Sequence, residues 1–405
     1  MNPAEHNILA INGGSSSIKF ALFAADPSLY MKSKGQIERI GTPNFVFSVQ
    51  GNDLGERFTK PVVAQDHMAA MMMLLDWIEE NENKYGLIAV GHRIVHGGPN
   101  FYEPQRLTLE LVEELRLLIP LDPAHLPEEI LIMETMQRRF PDLLQVVCFD
   151  TAFHHDLPRV ARLLPIPRRY EAQGVRRYGF HGLSYEFLMG ELTRTEKPAV
   201  ARGRIILCHL GNGASLAAVR DGRPIDTSMG FTAASGVPMG TRSGDIDPGL
   251  AWYLARTEGL NAKQFDDLVN FKSGLLGVSE TSSDMRDLLL HESEDSRAAD
   301  AIAIFCYQIK KWIGAFAATL GGLDTLIFAG GIGENVPTIR ARICSELGFL
   351  GIELDDARNQ HSEDMISVDA ARVRVRVMRT NEELVIARSV CRILDLDVGE
   401  ARIES

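Results

Sequence analysis

The chain has 405 residues, 45% of them apolar, and a formal net charge of −12 from 42 basic and 54 acidic side chains. Such a length allows two or three domains, and the apolar fraction suffices to fill their cores. The acidic balance argues against nucleic acid or an anionic membrane as the main partner, so any phosphate must be met by local arginines, lysines and backbone amides.

The first informative stretch is NILAINGGSSSIKFALF, residues 7–23. Ile8–Ile11 and Ile18–Phe23 predict adjacent strands, and Gly13 and Gly14 allow the positive φ angles of a tight turn. The turn amides, the hydroxyls of Ser15, Ser16 and Ser17, and the Lys19 ammonium suit one anion. Strands are then expected near 35–40, 44–49, 87–95 and 143–149, and helices near 67–81, 108–118 and 127–139. A domain boundary falls near 150–160. The strand–glycine turn–strand grammar repeats in IILCHLGNGASLAAVRDGR, residues 205–223, with an Asp221-Gly222 hairpin turn. Helices follow near 248–271 and 296–321, then a strand Thr325–Ala329 that opens through Gly330 and Gly331 onto a helix with Pro337 in its first turn. A strand Val373–Met378 and a helix Asn381–Leu394 close the chain. Glycine amides and helix N-termini bind anions, so three such turns fit a nucleotide held by two related domains. The pattern is that of an α/β chain with two cores.

Polar residues at strand ends carry the remaining signal. Arg93 sits in GHRIVHGG, and a buried arginine is costly unless it meets an anion. Asp150 ends the apolar run VVCFD, where open α/β sheets present ligand groups. His181 lies in YGFHGLS, and Arg242 with Asp245 and Asp247 in MGTRSGDIDPG. Each has a plain alternative: a structural ion pair for the arginines, a turn or helix cap for Asp150, a satisfied core side chain for His181. His92 and His96 have metal-like spacing but lie on a predicted strand, which argues against a shared metal. His154, His155 and the acidic run 292–295 read as surface or supporting features. Arg372, Arg374 and Arg376 read as one solvated strand face, and Met71–Met73 as helix core. The five cysteines, Cys148, Cys208, Cys306, Cys344 and Cys391, are odd in number and isolated, which suggests reduced thiols in a cytoplasmic protein. Neither a leader pattern nor a charge-free apolar run of about 18 residues is seen, so export and membrane anchoring are not expected.

Taken together, NGGSSSIKF, GHRIVHGG, FDTAFHH, RYGFHGLS, HLGNGAS, MGTRSGDIDPG, SSDMRD, GGIGEN and TNEE resemble the acetate and propionate kinase family of the sugar kinase, Hsp70 and actin superfamily. The resemblance implies two duplicated ribonuclease H-like α/β domains with the active site in the cleft between them. It implies residues 1–152, joined by a C-terminal helix at 383–405, as the first domain and 153–382 as a nucleotide-binding and dimerisation domain. The implied activity is reversible phosphoryl transfer between ATP and acetate, or another short acid such as propionate or butyrate, with magnesium or manganese, by a homodimer.

Residue by residue, the resemblance places Ser15, Ser17 and Lys19 near the phosphates, and Arg93 and Arg242 on the carboxylate and the phosphoryl group in flight. It makes Asn12, Asp150 and Glu382 metal-site residues, His181 a donor to the phosphoryl group, and His125 a further active-site histidine. Val95, Ala124, Phe180 and Ala233 would line the acyl pocket. His209, Gly211, Asn212, Gly213, Asp284, Met285, Arg286, Gly330, Gly331, Ile332, Gly333, Glu334 and Asn335 would form the nucleotide side. The chain departs from the family at Ala124-His125-Leu126-Pro127, where Leu-His-Asn-Pro is usual, at Ala233 for proline, and at Met285 for phenylalanine. A carboxylic acid arrives ionised and needs no general base, so Asp150 suits a metal or positioning role. Two rival readings remain: an ATP-switched binding module without catalysis, and a kinase for a hydroxyl substrate with Asp150 as base.

Overall fold

The computed structural model describes residues 6–13, 17–38, 45–51, 57–61, 67–123 and 125–396. Two compact units divide the chain: unit 1 is Met1–Ala152 with Asn381–Ser405, and unit 2 is Phe153–Thr380. Glu382, which the sequence reading left at the end of the second domain, therefore belongs to unit 1.

Unit 1 holds β1 (Asn7–Gly13), β2 (Ser17–Ala24), β3 (Met31–Glu38), β4 (Val46–Gly51), β5 (Arg57–Pro61), β6 (Leu87–Ile94), β7 (Gln105–Arg106) and β8 (Leu144–Phe149). They form one sheet in the order β5-β4-β3-β2-β1-β6-β8-β7. The first five strands are an antiparallel meander; β6 runs parallel to β1, and β8 parallel to β6. Alternate residues Leu9, Ile11, Ile18, Phe20 and Val90 face a core shared with Trp77, Ile78 and Met136. Trp77 and Ile78 come from the helix His67–Tyr85, and Met136 from Leu126–Arg139. The helix Glu382–Ile393 covers the other face, where a Cβ on Gly91 would stand 2.3 Å from Ile386 Cγ2. Glycine there lets the helix lie directly on the strand.

β3 and β5 differ from expectation, and the two-residue β7 was not foreseen. β3 starts earlier because Asp26 accepts from the Ser28 amide at 2.9 Å, an Asx turn that sends the chain back at once. β5, Arg-Phe-Thr-Lys-Pro, is a polar edge strand from which Phe58 packs on the core, so its apolar signal is a single residue.

Unit 2 holds β9 (Arg204–Leu210), β10 (Ala214–Arg220), β11 (Arg223–Thr227), β12 (Thr325–Ala329) and β13 (Arg374–Val377), ordered β11-β10-β9-β12-β13. β10 is antiparallel to both neighbours, and β12 is parallel to β9 and β13. This repeats the connectivity of β3-β2-β1-β6-β8. The helix Gly182–Thr195, unforeseen because its glycine-flanked start reads as a loop, supplies Tyr185, Leu188 and Leu192 to a core with Ile205, Leu207, Ala217 and Val219. The long helix Ser296–Leu320 stops at Gly321, whose φ of 71° breaks the helical run. The region 248–271 is two helices, Gly249–Thr257 and Ala262–Phe271; Asn261 begins the second with a capping box to Gln264.

Candidate functional site

In unit 1, the β1–β2 register sets Asn12 opposite Lys19, so both project on one face. Asn12 Nδ2 donates to Glu382 Oε2 at 2.7 Å and Glu383 Oε1 at 3.1 Å. Parallel pairing of β6 and β8 brings Arg93 beside the end of β8, where Asp150 follows. Arg93 Nη1 donates to the Gly13 carbonyl at 2.7 Å and Nη2 to Asp150 Oδ2 at 2.9 Å. Burial works against the Arg93 charge, but Asp150 and then Glu129 more than offset it and raise its pKa. Burial, reinforced by repulsion from Asp150, raises the Glu382 pKa despite the opposing pull of Arg93 and Lys19.

A divalent cation fits this donor set. Asp150 and Glu382 are repelling carboxylates whose repulsion a cation would turn into attraction, and Asn12 adds an amide. Among the described residues no three His, Cys, Asp or Glu side chains are grouped for a metal. An ion held by two carboxylates and one amide would keep waters or phosphate oxygens as its other ligands.

Glu129 belongs to the same cluster and was not singled out for a role from the sequence. Its carboxylate accepts from the Val95 amide at 2.9 and 3.2 Å and lies 4.0 Å from Arg93 Nη1. Burial pushes its pKa up to about 7 against the pull of Arg93. His125 precedes the helix Leu126–Arg139, and its Nδ1 lies 2.9 Å from Asp122 Oδ1. Burial works to raise the Asp122 pKa, but the His125 hydrogen bond and charge hold it below the usual range. His92 meets Gln145 at 2.8 Å, and burial lowers its pKa to about 4; His96 Nδ1 accepts from the Gly98 amide at 2.8 Å. Neither contact is to a metal ligand. Val95 is buried; Ser15 and Ala124 lie outside the described residues, and Ser17 opens β2.

In unit 2, His181 holds a left-handed backbone, φ 59° and ψ 29°, at the start of the helix Gly182–Thr195. A non-glycine residue in that region marks a held conformation. Its Nδ1 is 2.8 Å from Ser215 Oγ, which also meets the Tyr185 hydroxyl, and its ring stacks on His209 at 4.3 Å. Ser184 Oγ contacts His209 Nδ1 at 2.8 Å. Both rings are thereby fixed over the glycine turn. A Cβ on Gly213 would lie 3.0 Å from His181 Nε2 and 3.8 Å from Arg242 Nη1, so glycine makes room for that approach. Arg242 Nη1 donates to the Ala233 carbonyl at 3.2 Å. Gly211 N donates to Gly213 O at 2.9 Å, and Gly240 N to Asn212 O at 2.9 Å. Phe180, next to His181, is buried, and its carbonyl lies 3.0 Å from His154 Nε2. His154 thus supports the site from within unit 2 and is not a surface residue.

The third glycine turn departs from a simple anion cradle. Gly330–Asn335 is itself a six-residue helix, followed by a second helix, Pro337–Cys344. The Gly330 amide is taken by Glu334 Oε1 at 2.9 Å, which also accepts from the Thr380 amide at 3.2 Å, so Glu334 clasps the loop. Gly331, Ile332 and Asn335 reach the surface of this loop in part or whole, while Gly333 is buried. Asp284 caps the helix Met285–His291 and pairs with Arg286; Met285 is buried. Arg374 and Arg376 pair with Glu196, so that face is bound as well as solvated.

One residue with no sequence signal stands out. Arg340 is fully buried and among the described residues has no carboxylate partner: it donates to the carbonyls of Gly333, Glu334 and Asn359, to Asn359 Oδ1, and to Ser362 Oγ. Burial lowers its pKa to about 10, which leaves it charged at neutral pH.

Among the described residues no helix is long and apolar enough to cross a membrane. The family model described as "Acetokinase family" matches residues 7–388. The chain is 44% identical over 395 residues to an acetate kinase of Rhodopseudomonas palustris strain TIE-1, covering 96% of this chain and 98% of the relative. It is 43% identical to a propionate kinase of Citrobacter rodentium, covering 96% and 97%. A crystal structure of a propionate kinase from Francisella tularensis superposes with a TM-score of 0.86 at 36% identity, over 95% of this chain and 98% of that one. The chain belongs to the acetokinase family.

Proposed function

We propose that the chain transfers the γ-phosphoryl group of ATP to a short-chain carboxylate, acetate or propionate, and catalyses the reverse reaction. Relatives named for both acids support the pair. The observation that carries the reading is Arg93: a guanidinium held by Asp150 and the Gly13 carbonyl in a mostly buried setting, where a planar fork suits a carboxylate.

An acid oxygen attacks the γ-phosphorus, the bond to the bridging oxygen breaks, and ADP leaves. Charge on the equatorial oxygens calls for fixed cations and donors, the roles assigned to Arg242 and His181. Ser215, Tyr185 and His209 hold the His181 ring ready, so little reorganisation is needed at reaction. The substrate has no proton to lose, which leaves Asp150 free to hold magnesium with Glu382 and Asn12; bound there, the ion would neutralise phosphate charge. Lys19, Ser15 and Ser17 serve the phosphates; His209, Asn212, Asp284–Arg286 and the Gly330–Asn335 loop serve the nucleotide.

Val95, Ala124, Phe180 and Ala233 are assigned to the acyl group. A homodimer is assigned through the helices Gly249–Thr257 and Ala262–Phe271, which bury no residue of their own and leave Trp252, Tyr253 and Phe271 exposed. Five buried, unbridged cysteines support a reducing cytoplasm. Trapping acyl phosphate as hydroxamate from ATP and acetate or propionate tests the activity. Absence of hydroxamate with both acids would overturn it.

A further inference from the structure

Glu129 is a buried carboxylate in unit 1 to which the transfer described above gives no task. Pairing of β6 ends at His92 against β1 and at Ile94 against β8, so the Val95 amide lies beyond both ladders. The Glu129 carboxylate takes that amide with both oxygens, at 2.9 and 3.2 Å. Its Oε1 also stands 4.0 Å from Arg93 Nη1, the nitrogen that donates to the Gly13 carbonyl. One side chain of the helix Leu126–Arg139 thus reaches both the guanidinium assigned to the substrate carboxylate and the backbone of a residue assigned to the acyl group.

Three carboxylates act on the Arg93 charge: Asp150, Glu129 and Glu382. Asp150 and Glu382 repel one another and suit a shared cation, which would offset both. Glu129 is outside that pair. A substrate carboxylate arriving at Arg93 therefore competes with Glu129 for the same charge, in a setting where little water screens them. The charged groups that act on Glu129 are Arg93 on β6 and, at the start of its own helix, His125 and Asp122. Burial outweighs the pull of Arg93 and lifts the carboxyl to about 7, so Glu129 changes charge near neutral pH.

We propose that Glu129 is a positioning residue of the acid site: its hydrogen bond fixes Val95, and its negative charge opposes the hold of Arg93 on the substrate carboxylate. By linkage, a bound acid and a proton on Glu129 favour one another. The inference rests on the assignment of Arg93 to the acid.

The test is steady-state kinetics of the full-length parent, Glu129→Gln, Glu129→Ala and Arg93→Lys, with acetate and ATP varied in turn. Acetate is ionised from about pH 6 to about 8.5, so its own titration does not enter. Glutamine keeps an acceptor for the Val95 amide and removes the charge. KM for acetate should rise about threefold or more over that range in the parent and stay within about twofold in Glu129→Gln. KM for ATP should follow the same course in both. Glu129→Ala also frees the amide, and its kcat should fall about tenfold below that of Glu129→Gln because Val95 is no longer held. Should Glu129→Ala not fold, the glutamine profiles decide. A purely structural role would move both KM values together. Matching acetate KM profiles in parent and Glu129→Gln, or equal kcat in folded Glu129→Gln and Glu129→Ala, would overturn the proposal. Arg93→Lys separates the two failures: if its kcat/KM for acetate falls, such a result removes Glu129 alone, and if it does not, the Arg93 assignment fails and takes this inference with it.

Discussion

Arg340 Nη1 donates to the Gly333 carbonyl at 2.8 Å, so a fully buried cation reaches back into the loop assigned to the nucleotide. The same group binds Glu334, Asn359 and Ser362. Arg340→Ala should destabilise the fold by about 2 to 4 kcal/mol, since several buried carbonyls lose a charged donor. Arg340→Lys keeps the charge but cannot reach all partners at once. In that variant KM for ATP should rise about tenfold while KM for acetate stays within about twofold, because a misplaced binding loop costs affinity at its own ligand. Equal KM values in a folded Arg340→Lys protein would assign Arg340 to stability alone.

Arg93 holds Asp150 and the Gly13 carbonyl with two different nitrogens. A lysine can replace the charge and not the fork, so Arg93→Lys should lower kcat/KM for acetate by about 10². Arg93→Ala should also cost about 3 to 5 kcal/mol in stability by leaving a buried Asp150 without its cation. Denaturant melts beside steady-state kinetics separate the two effects.

Removal of Arg242 should cost turnover more than affinity. The expected loss in kcat for Arg242→Ala is about 10² to 10⁴, with little rescue by lysine. Among its contacts, Nη1 donates to the Ala233 carbonyl at 3.2 Å and to Met239 Sδ at 3.7 Å, neutral partners that lose no counter-charge on truncation, so the variant should fold. Near-parent kcat would remove Arg242 from the transfer step.

Glu129 and His92 give opposing pH effects within unit 1. Burial raises Glu129 from 4.5 to about 7, so between those values the folded state keeps a proton that the unfolded state releases, and stability falls as pH rises. Burial lowers His92 from 6.5 to about 4, so the unfolded state binds the extra proton and stability rises with pH over that interval. The two slopes largely cancel from about pH 4.5 to 6.5. Glu129→Gln retains an acceptor for the Val95 amide and removes one slope; its stability should climb more steeply with pH across that range than the parent's. Urea melts at half-unit steps would show it, and parallel curves would refute the Glu129 assignment.

The acyl pocket proposed above includes alanines at 124 and 233, where the family resemblance implies leucine and proline, so room beside the acetate methyl group is expected. One buried methylene is worth about 0.8 kcal/mol, so propionate should be used within about tenfold of acetate. Comparing kcat/KM for acetate, propionate and butyrate checks this. A hundredfold preference for acetate would mean that the alanines do not set the size of the pocket.

The two hairpins, the strand endings at Arg93 and Asp150 and the glycine turn before Ala214 were legible in the sequence because each rests on local periodicity and on residues with special backbone freedom. The repeated sheet was legible for the same reason: β1–β2 and β9–β10 share one grammar of apolar runs broken by glycine. The family resemblance was carried by short motifs, and those motifs contain Asn12, Lys19, Arg93, Asp150, Glu382, His181, His209 and Arg242. Arg340 was invisible, because its partners lie 7, 6, 19 and 22 residues away and no local pattern links them. So was the clasp of Glu334 on the Gly330 amide, which depends on a six-residue helix that glycine-rich composition disguises as a turn. Glu129 needed the packing of its helix beside β6 before its carboxylate could be set on the Val95 amide. Sequence alone determined the chemistry available, through residue type and local conformation. Tertiary structure decided which of those groups are desolvated and paired, because burial and long-range contacts shift the titration of Glu129, His92 and Glu382.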